Sequence, residues 1–98
     1  MDERFEVTGT VVEWRGPAPY HFVEITGDLA EEICDLASSV TYGWGMIPVA
    51  CRIGSTSFTT SLWPRRDAYF LPLKDAVRDA EHVEIDAKVR VEFTLRRR

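Results

Sequence analysis

Signatures of catalysis and of metal binding are scarce in this chain. Two histidines, His21 and His82, and two cysteines, Cys34 and Cys51, are all that it holds of either type. They stand at no recognised metal spacing, and a cysteine pair alone lacks the ligands for zinc. No glycine-rich phosphate loop is present, and no serine sits in a nucleophile-elbow context. The carboxylates scatter over several faces and form no pair with divided acid and base roles. No window approaches the roughly 18 apolar residues of a membrane helix. The opening MDERFEV has no cationic stretch leading into an apolar run, so no secretory leader is expected. A cytoplasmic setting with free thiols is the default expectation. Basic charge is also short: 12 Lys and Arg face 16 Asp and Glu, for a net charge of −4. That balance disfavours a domain built to coat nucleic acid. The only basic run, Arg96 to Arg98, reads as a solvated tail. No internal repeat marks a solenoid.

What is present is alternation. With 98 residues, 45% of them hydrophobic, residues 1–98 have the length and composition of a single globular domain with one modest core. Phe5 to Trp14 sets Phe5, Val7, Gly9 and Val11 on one face and Val12 and Trp14 on the other. A bulge or a strand covered on both sides would explain the change of phase. Gly9 within the run fits a close approach or a barrel bend. A Gly- and Pro-containing turn, Arg15 to Pro19, leads to a second strand at Tyr20 to Ile25. Asp28 to about Ser39 reads as a helix with Asp28 as its cap and Leu29, Ile33, Leu36 and Val40 as its apolar stripe. Two further strands follow, Met46 to Ile53 and Thr56 to Trp63, separated by a Gly54-Ser55 turn. In the first, Ile47, Val49, Cys51 and Ile53 share a face, so Cys51 reads as a small core side chain. After a polar Pro64 to Asp67 loop, Ala68 to Leu71 is a short extended piece. Pro72 then suits the first turn of a helix running to Ala80. Ala87 to Leu95 alternates without a fault, with Val89, Val91 and Phe93 inward. About six strands and two short helices predict a mostly β protein. The best fit is a small antiparallel β-barrel with the helices plugging its ends.

Three blocks of this sequence stand out: Gly43 to Val49 (Gly-x-Gly-x-Ile-Pro-Val), Thr60 to Pro64 (Thr-Ser-Leu-x-Pro), and Tyr69 to Ala80 (Tyr-x-Leu-Pro-Leu-Lys-x-x-Val-Arg-x-Ala). In them the chain resembles a bacterial domain-of-unknown-function family numbered nineteen-oh-five. Phe5 to Trp14 and Phe22-Val23 resemble it as well. The family's Gly-Asp turn before the last strand is here Ile85-Asp86, so only the aspartate matches. The resemblance implies a double-split β-barrel and brings with it no activity, cofactor or catalytic residue.

The residues that could meet a ligand gather in the same blocks: Ser61, Trp63, Arg65, Arg66, Tyr69, Lys74 and Arg78, with Trp44 and Arg52 nearby. Lys74 and Arg78 are spaced to share a helix face near the helix start. Cations do nothing for the helix there, and the free N–H groups favour anions. One reading is a small polar or anionic ligand held by Lys74 and Arg78 beside an aromatic wall. The other is that the two cations pair with Glu24, Asp75 or Asp79, or stay in water. Trp14, Trp44 and Trp63 either fill the barrel ends or line a pocket mouth. His21 reads as a strand residue, not a catalyst. The sequence therefore favours a non-catalytic binding module for a small polar or anionic molecule or a partner protein. No cofactor, metal or membrane is expected. The alternatives are an uncharacterised enzyme using the Lys74/Arg78 region and, less favoured, a nucleic-acid-binding dimer. A homodimer is compatible with the free strand edges of a split barrel. The strand phase makes a first prediction. Val91→Asp sets an unpaired charge on the core face and abolishes the cooperative thermal transition seen by circular dichroism.

Overall fold

The period-two pattern closes on itself. The computed structural model describes residues 4–14, 20–37 and 45–96. The strands are β1 (Arg4–Trp14), β2 (Tyr20–Ile25), β3 (Ile47–Ile53), β4 (Thr56–Arg65), β5 (Ala68–Leu73) and β6 (Lys88–Leu95). Helix α1 (Gly27–Ala37) follows β2, and α2 (Asp75–Glu81) follows β5. The strands form a closed barrel in the order β1-β2-β5-β4-β3-β6, with antiparallel neighbours throughout. This is the mostly β, six-stranded antiparallel barrel with two helices that the alternation predicts.

Two long strands serve both halves of the ring. The first part of β1, Arg4 to Thr10, pairs with β6, and its last part, Val11 to Trp14, pairs with β2. In the same way β4 pairs with β3 from Thr56 to Leu62 and with β5 from Trp63 to Arg65. The change of partner falls between Thr10 and Val11 in one strand and between Leu62 and Trp63 in the other. The barrel is thus split at two seams.

Inward side chains fill the ring. Val11, Val23, Ile47, Val49, Leu62, Leu71 and Val91 are wholly inaccessible, and Phe5 stacks on Phe93 with ring centroids 5.5 Å apart. Ile33 and Ala30 of α1 and Val77 of α2 join the same core. Each fully buried Val, Leu or Ile contributes about 1.5–3 kcal/mol, against a chain entropy of the same order. The phase of β1 needs no bulge: Val11 points in, while Val12 and Trp14 point out and are 42% and 41% exposed. Asp86 adopts a left-handed φ of 70°, a conformation that aspartate tolerates better than most residues. Its N–H donates to the Val11 carbonyl at 2.9 Å, and Val11 N–H donates to the Ala87 carbonyl at 2.9 Å. These bonds cover the β1 seam.

Three boundaries differ from the sequence reading. Helix α1 begins at Gly27, so Asp28 lies within its first turn instead of capping it. Strand β4 continues through Pro64 and Arg65, which reduces the expected loop to Arg66-Asp67; Arg66 takes a left-handed φ of 56°. Pro72 lies inside β5, opposite Phe22 of β2, and α2 starts only at Asp75. The last β4–β5 pair is Trp63 with Phe70, so Pro72 stands past that ladder, where a missing N–H is tolerated. Val40 lies outside the described residues. Among those residues no helix is long and apolar enough to cross a membrane.

Gly9 sits just before the β1 change of partner. A Cβ built there would lie 2.7 Å from Cγ1 of Val23. Gly9→Ala is therefore expected to destabilise by about 1–3 kcal/mol in denaturant titration. Trimming the obstacle in Gly9→Ala/Val23→Ala should cost less than the sum of the single changes. Simple additivity would show that the close approach does not limit this position.

Candidate functional site

The second seam is open. Where β4 exchanges β3 for β5, a cleft of about 510 Å³ is lined by Pro48, Ser61, Trp63, Pro72, Lys74 and Arg96, with Met46, Thr59 and Thr60 completing it. Its geometry follows from the register. Ser61 is paired with Pro48 of β3, and extending the β4–β5 register would set Pro72 on its other side. Two prolines thus flank β4 where its ladder changes hands. Lys74 follows as the N-cap of α2, with extended backbone and no side-chain capping bond. Its carbonyl accepts from the N–H groups of Val77 and Arg78 at 3.1 and 3.0 Å. Lys74 lines the cleft.

The expected site residues divide. Lys74, Ser61 and Trp63 come together on this cleft. Arg78 does not line it; its guanidinium pairs with Asp75 one turn back on α2. Tyr69 is an inward residue of β5 and only 8% exposed, with a hydroxyl that donates to the Cys34 sulfur. Arg65 faces a neighbouring groove, described below. Arg66 is exposed in the β4–β5 turn. Arg52 is bound to Glu92 at 2.7 Å on the outer face of β3 and β6. Trp44 lies outside the described residues. Arg96, read from sequence as part of a solvated tail, lines the cleft. Its N–H donates to the Pro48 carbonyl at 2.8 Å, which holds the chain end against β3.

Charge pairing differs from place to place on the surface. On the outer face of β6, Arg52 holds the Glu92 carboxyl below the usual carboxylate range, and Arg90 pairs with Glu6 at 2.6 Å. A shallow depression of about 480 Å³ over that face has the Arg52–Glu92 pair and Arg4 on its walls. Lys74 and Arg96 have no carboxylate partner among the described residues, and no described carboxylate lines their cleft. No group of three or more described His, Cys, Asp or Glu residues could hold a metal ion.

On the other side of Trp63 lies a groove of about 260 Å³ lined by Trp14, Tyr20, Trp63, Pro64, Arg65 and Phe70. It runs over the outer surface of β1, β2, β5 and β4. Ring centroids follow one another from Trp14 to Tyr20 at 6.3 Å, Tyr20 to Trp63 at 5.6 Å, and Tyr20 to Phe22 at 5.6 Å; Phe22 stacks on Phe70 at 4.1 Å. Trp14 and Trp63 are 41% and 43% exposed, whereas Phe22 and Phe70 are buried without belonging to the barrel core. The sequence carried a signal for this second apolar layer. The runs YHFVEI and AYFL place rings on the face opposite Val23, Ile25 and Leu71.

Residues 8–93 match the family described as Domain of unknown function (DUF1905). The chain belongs to this family. No curated protein matches it. Membership agrees with the closed barrel but assigns no activity, so any role of the DUF1905 domain has to be argued from its own surface.

Two inward groups tie the site to the core. Burial pushes the Cys51 thiol up to about 12, with the Lys74 ammonium pulling the other way. Burial and the bond to Cys34 push the Tyr69 hydroxyl up to about 12. Both folded values exceed the ordinary 9.0 and 10.0, so the native state holds these protons more tightly than the unfolded chain. The resulting stability is fully present below pH 9.0 and is lost as pH climbs towards about 12. Thermal midpoints are expected to hold steady up to that point and then fall, and Cys51→Ala should remove the earliest part of the fall. A native protein whose buried Cys51 reacts with a thiol reagent at pH 8 as fast as the exposed Cys34 would contradict this assignment.

Proposed function

We propose that this DUF1905 domain is a non-catalytic, cytoplasmic binding module that takes a small anionic ligand, a carboxylate or a phosphate, in the cleft at Lys74. One observation carries the reading. In a chain of net charge −4, Lys74 and Arg96 share an open cleft with no carboxylate among the described residues on its walls. On the outer face of β3 and β6, by contrast, Arg52 and Arg90 are matched with glutamates. Two uncompensated cations raise the local potential and attract an anion. The Ser61 hydroxyl adds a polar group to the wall, and the half-exposed Trp63 ring adds an apolar one, the mixture by which small-molecule sites orient a ligand. Nothing in the arrangement favours turnover. Arg78, the expected partner of Lys74 in an enzyme, is engaged with Asp75. The two buried, high-titrating groups, Cys51 and Tyr69, keep their protons at neutral pH and supply neither a nucleophile nor a base.

Thermal shift at low ionic strength tests the reading with inorganic phosphate and citrate as the two probes. A ligand at ten times its Kd stabilises by about 1.4 kcal/mol, which raises the midpoint of a domain this size by several degrees. Lys74→Glu is expected to abolish the shift for whichever probe binds, with the unliganded stability unchanged within about 0.5 kcal/mol because Lys74 is exposed. Equal shifts in the wild type and in Lys74→Glu would refute the cleft as the anion site.

A further inference from the structure

We propose that the aromatic groove between Trp14 and Trp63 docks an extended, proline-bearing acidic segment of a partner protein. The groove is distinct from the Lys74 cleft, although Trp63 walls both. Its residue types are those that dominate protein-binding hot spots: two tryptophans, a tyrosine and an arginine around a small depression. They stand on a rigid support. Phe22 and Phe70, stacked and buried beneath them, hold the exposed rings on four hydrogen-bonded strands, so little order has to be acquired on binding. Flat rings set side by side on a sheet suit a polyproline II segment, whose pyrrolidine faces pack on aromatic surfaces and whose backbone is already extended.

The charge of the partner follows from Arg65. Its guanidinium lies 5.3 Å from the Trp14 ring centroid and 5.8 Å from that of Phe70, and it has no carboxylate partner among the described residues. A guanidinium held over rings keeps N–H donors free at its edge, where a carboxylate is met by two parallel bonds. No described carboxylate lines the groove. Glu24 is exposed on the far side of Phe70, since Phe70 is paired with Glu24 on one flank and Trp63 on the other. It repels an acidic residue from that side and so directs it to Arg65. A nucleic-acid strand fits less well. The groove offers one cation where a phosphodiester track needs several.

The test is fluorescence polarisation of the whole chain with a labelled twelve-residue peptide repeating Pro-Pro-Glu, beside its Pro-Pro-Lys counterpart and a twelve-nucleotide oligothymidine. The glutamate peptide is expected to bind saturably, and Arg65→Glu and Trp14→Ala should each weaken it at least about tenfold. Lys88→Glu, the same charge change on β6, should leave it within about twofold. Both groove residues are exposed, and unchanged circular dichroism and thermal midpoints will show that the variants fold. The proposal is overturned if the glutamate peptide fails to saturate by about 1 mM. It is overturned equally if binding survives both groove variants, if the lysine peptide or the oligothymidine binds more tightly, or if sedimentation reveals a dimer that Trp14→Ala dissociates.

Discussion

Closure of the barrel depends on two strands that each change partner midway. β1 leaves β6 for β2, and β4 leaves β3 for β5. At each change the chain has ladder bonds on one edge before the switch and on the other edge after it. The edge that is given up must be covered by something else, because exposed or unpaired backbone groups are costly. At the β1 seam the cover is tight. Gly9 lets Val23 approach, and the left-handed Asp86 brings its own N–H and the Ala87 carbonyl to Val11. At the β4 seam the neighbours are Pro48 and Pro72, which carry no N–H to be satisfied. The same device is sealed at one place and left as a cleft at the other.

This asymmetry also explains which parts of the fold were legible in the sequence. Strands that keep one face in the core along their whole length, β3 and β6, declare themselves by alternation, and their inward sets are those observed. Pro72 was misleading because local rules favour a proline at a helix start. In the folded barrel it stands where the β4–β5 ladder has already ended, a fact of long-range register that no neighbouring residue encodes. Asp28 misled in a similar way: its carboxylate suits either a cap or a first turn, and the chain enters the helix one residue earlier.

The site was legible in part for the same reason. Lys74, Ser61 and Trp63 were singled out by type, and the seam brings them together. Arg78 was joined to Lys74 by helical spacing, but Lys74 is only the cap of α2, so the two side chains do not share its surface, and Asp75 takes the arginine. Tyr69 follows the inward parity of β5 into the core, while Phe70, its neighbour, takes the outer layer. Arg96 could not be read as anything but tail without knowing that its backbone is bonded to Pro48.

Trp63 gives the two surfaces a common wall. It is the first residue of β4 after the change of partner, so its position is fixed by the Phe70 pairing, while its side chain is held on one flank by Tyr20 at 5.6 Å. The anion and the peptide proposed above would each meet this ring, so each is expected to influence the other. Linkage makes that influence reciprocal in free energy whatever its sign. A side chain 43% exposed at such a junction is retained at the expense of apolar surface left in water. The parity of β4 supplies the physical reason for that exposure: Leu62 points into the core, so Trp63 beside it points out.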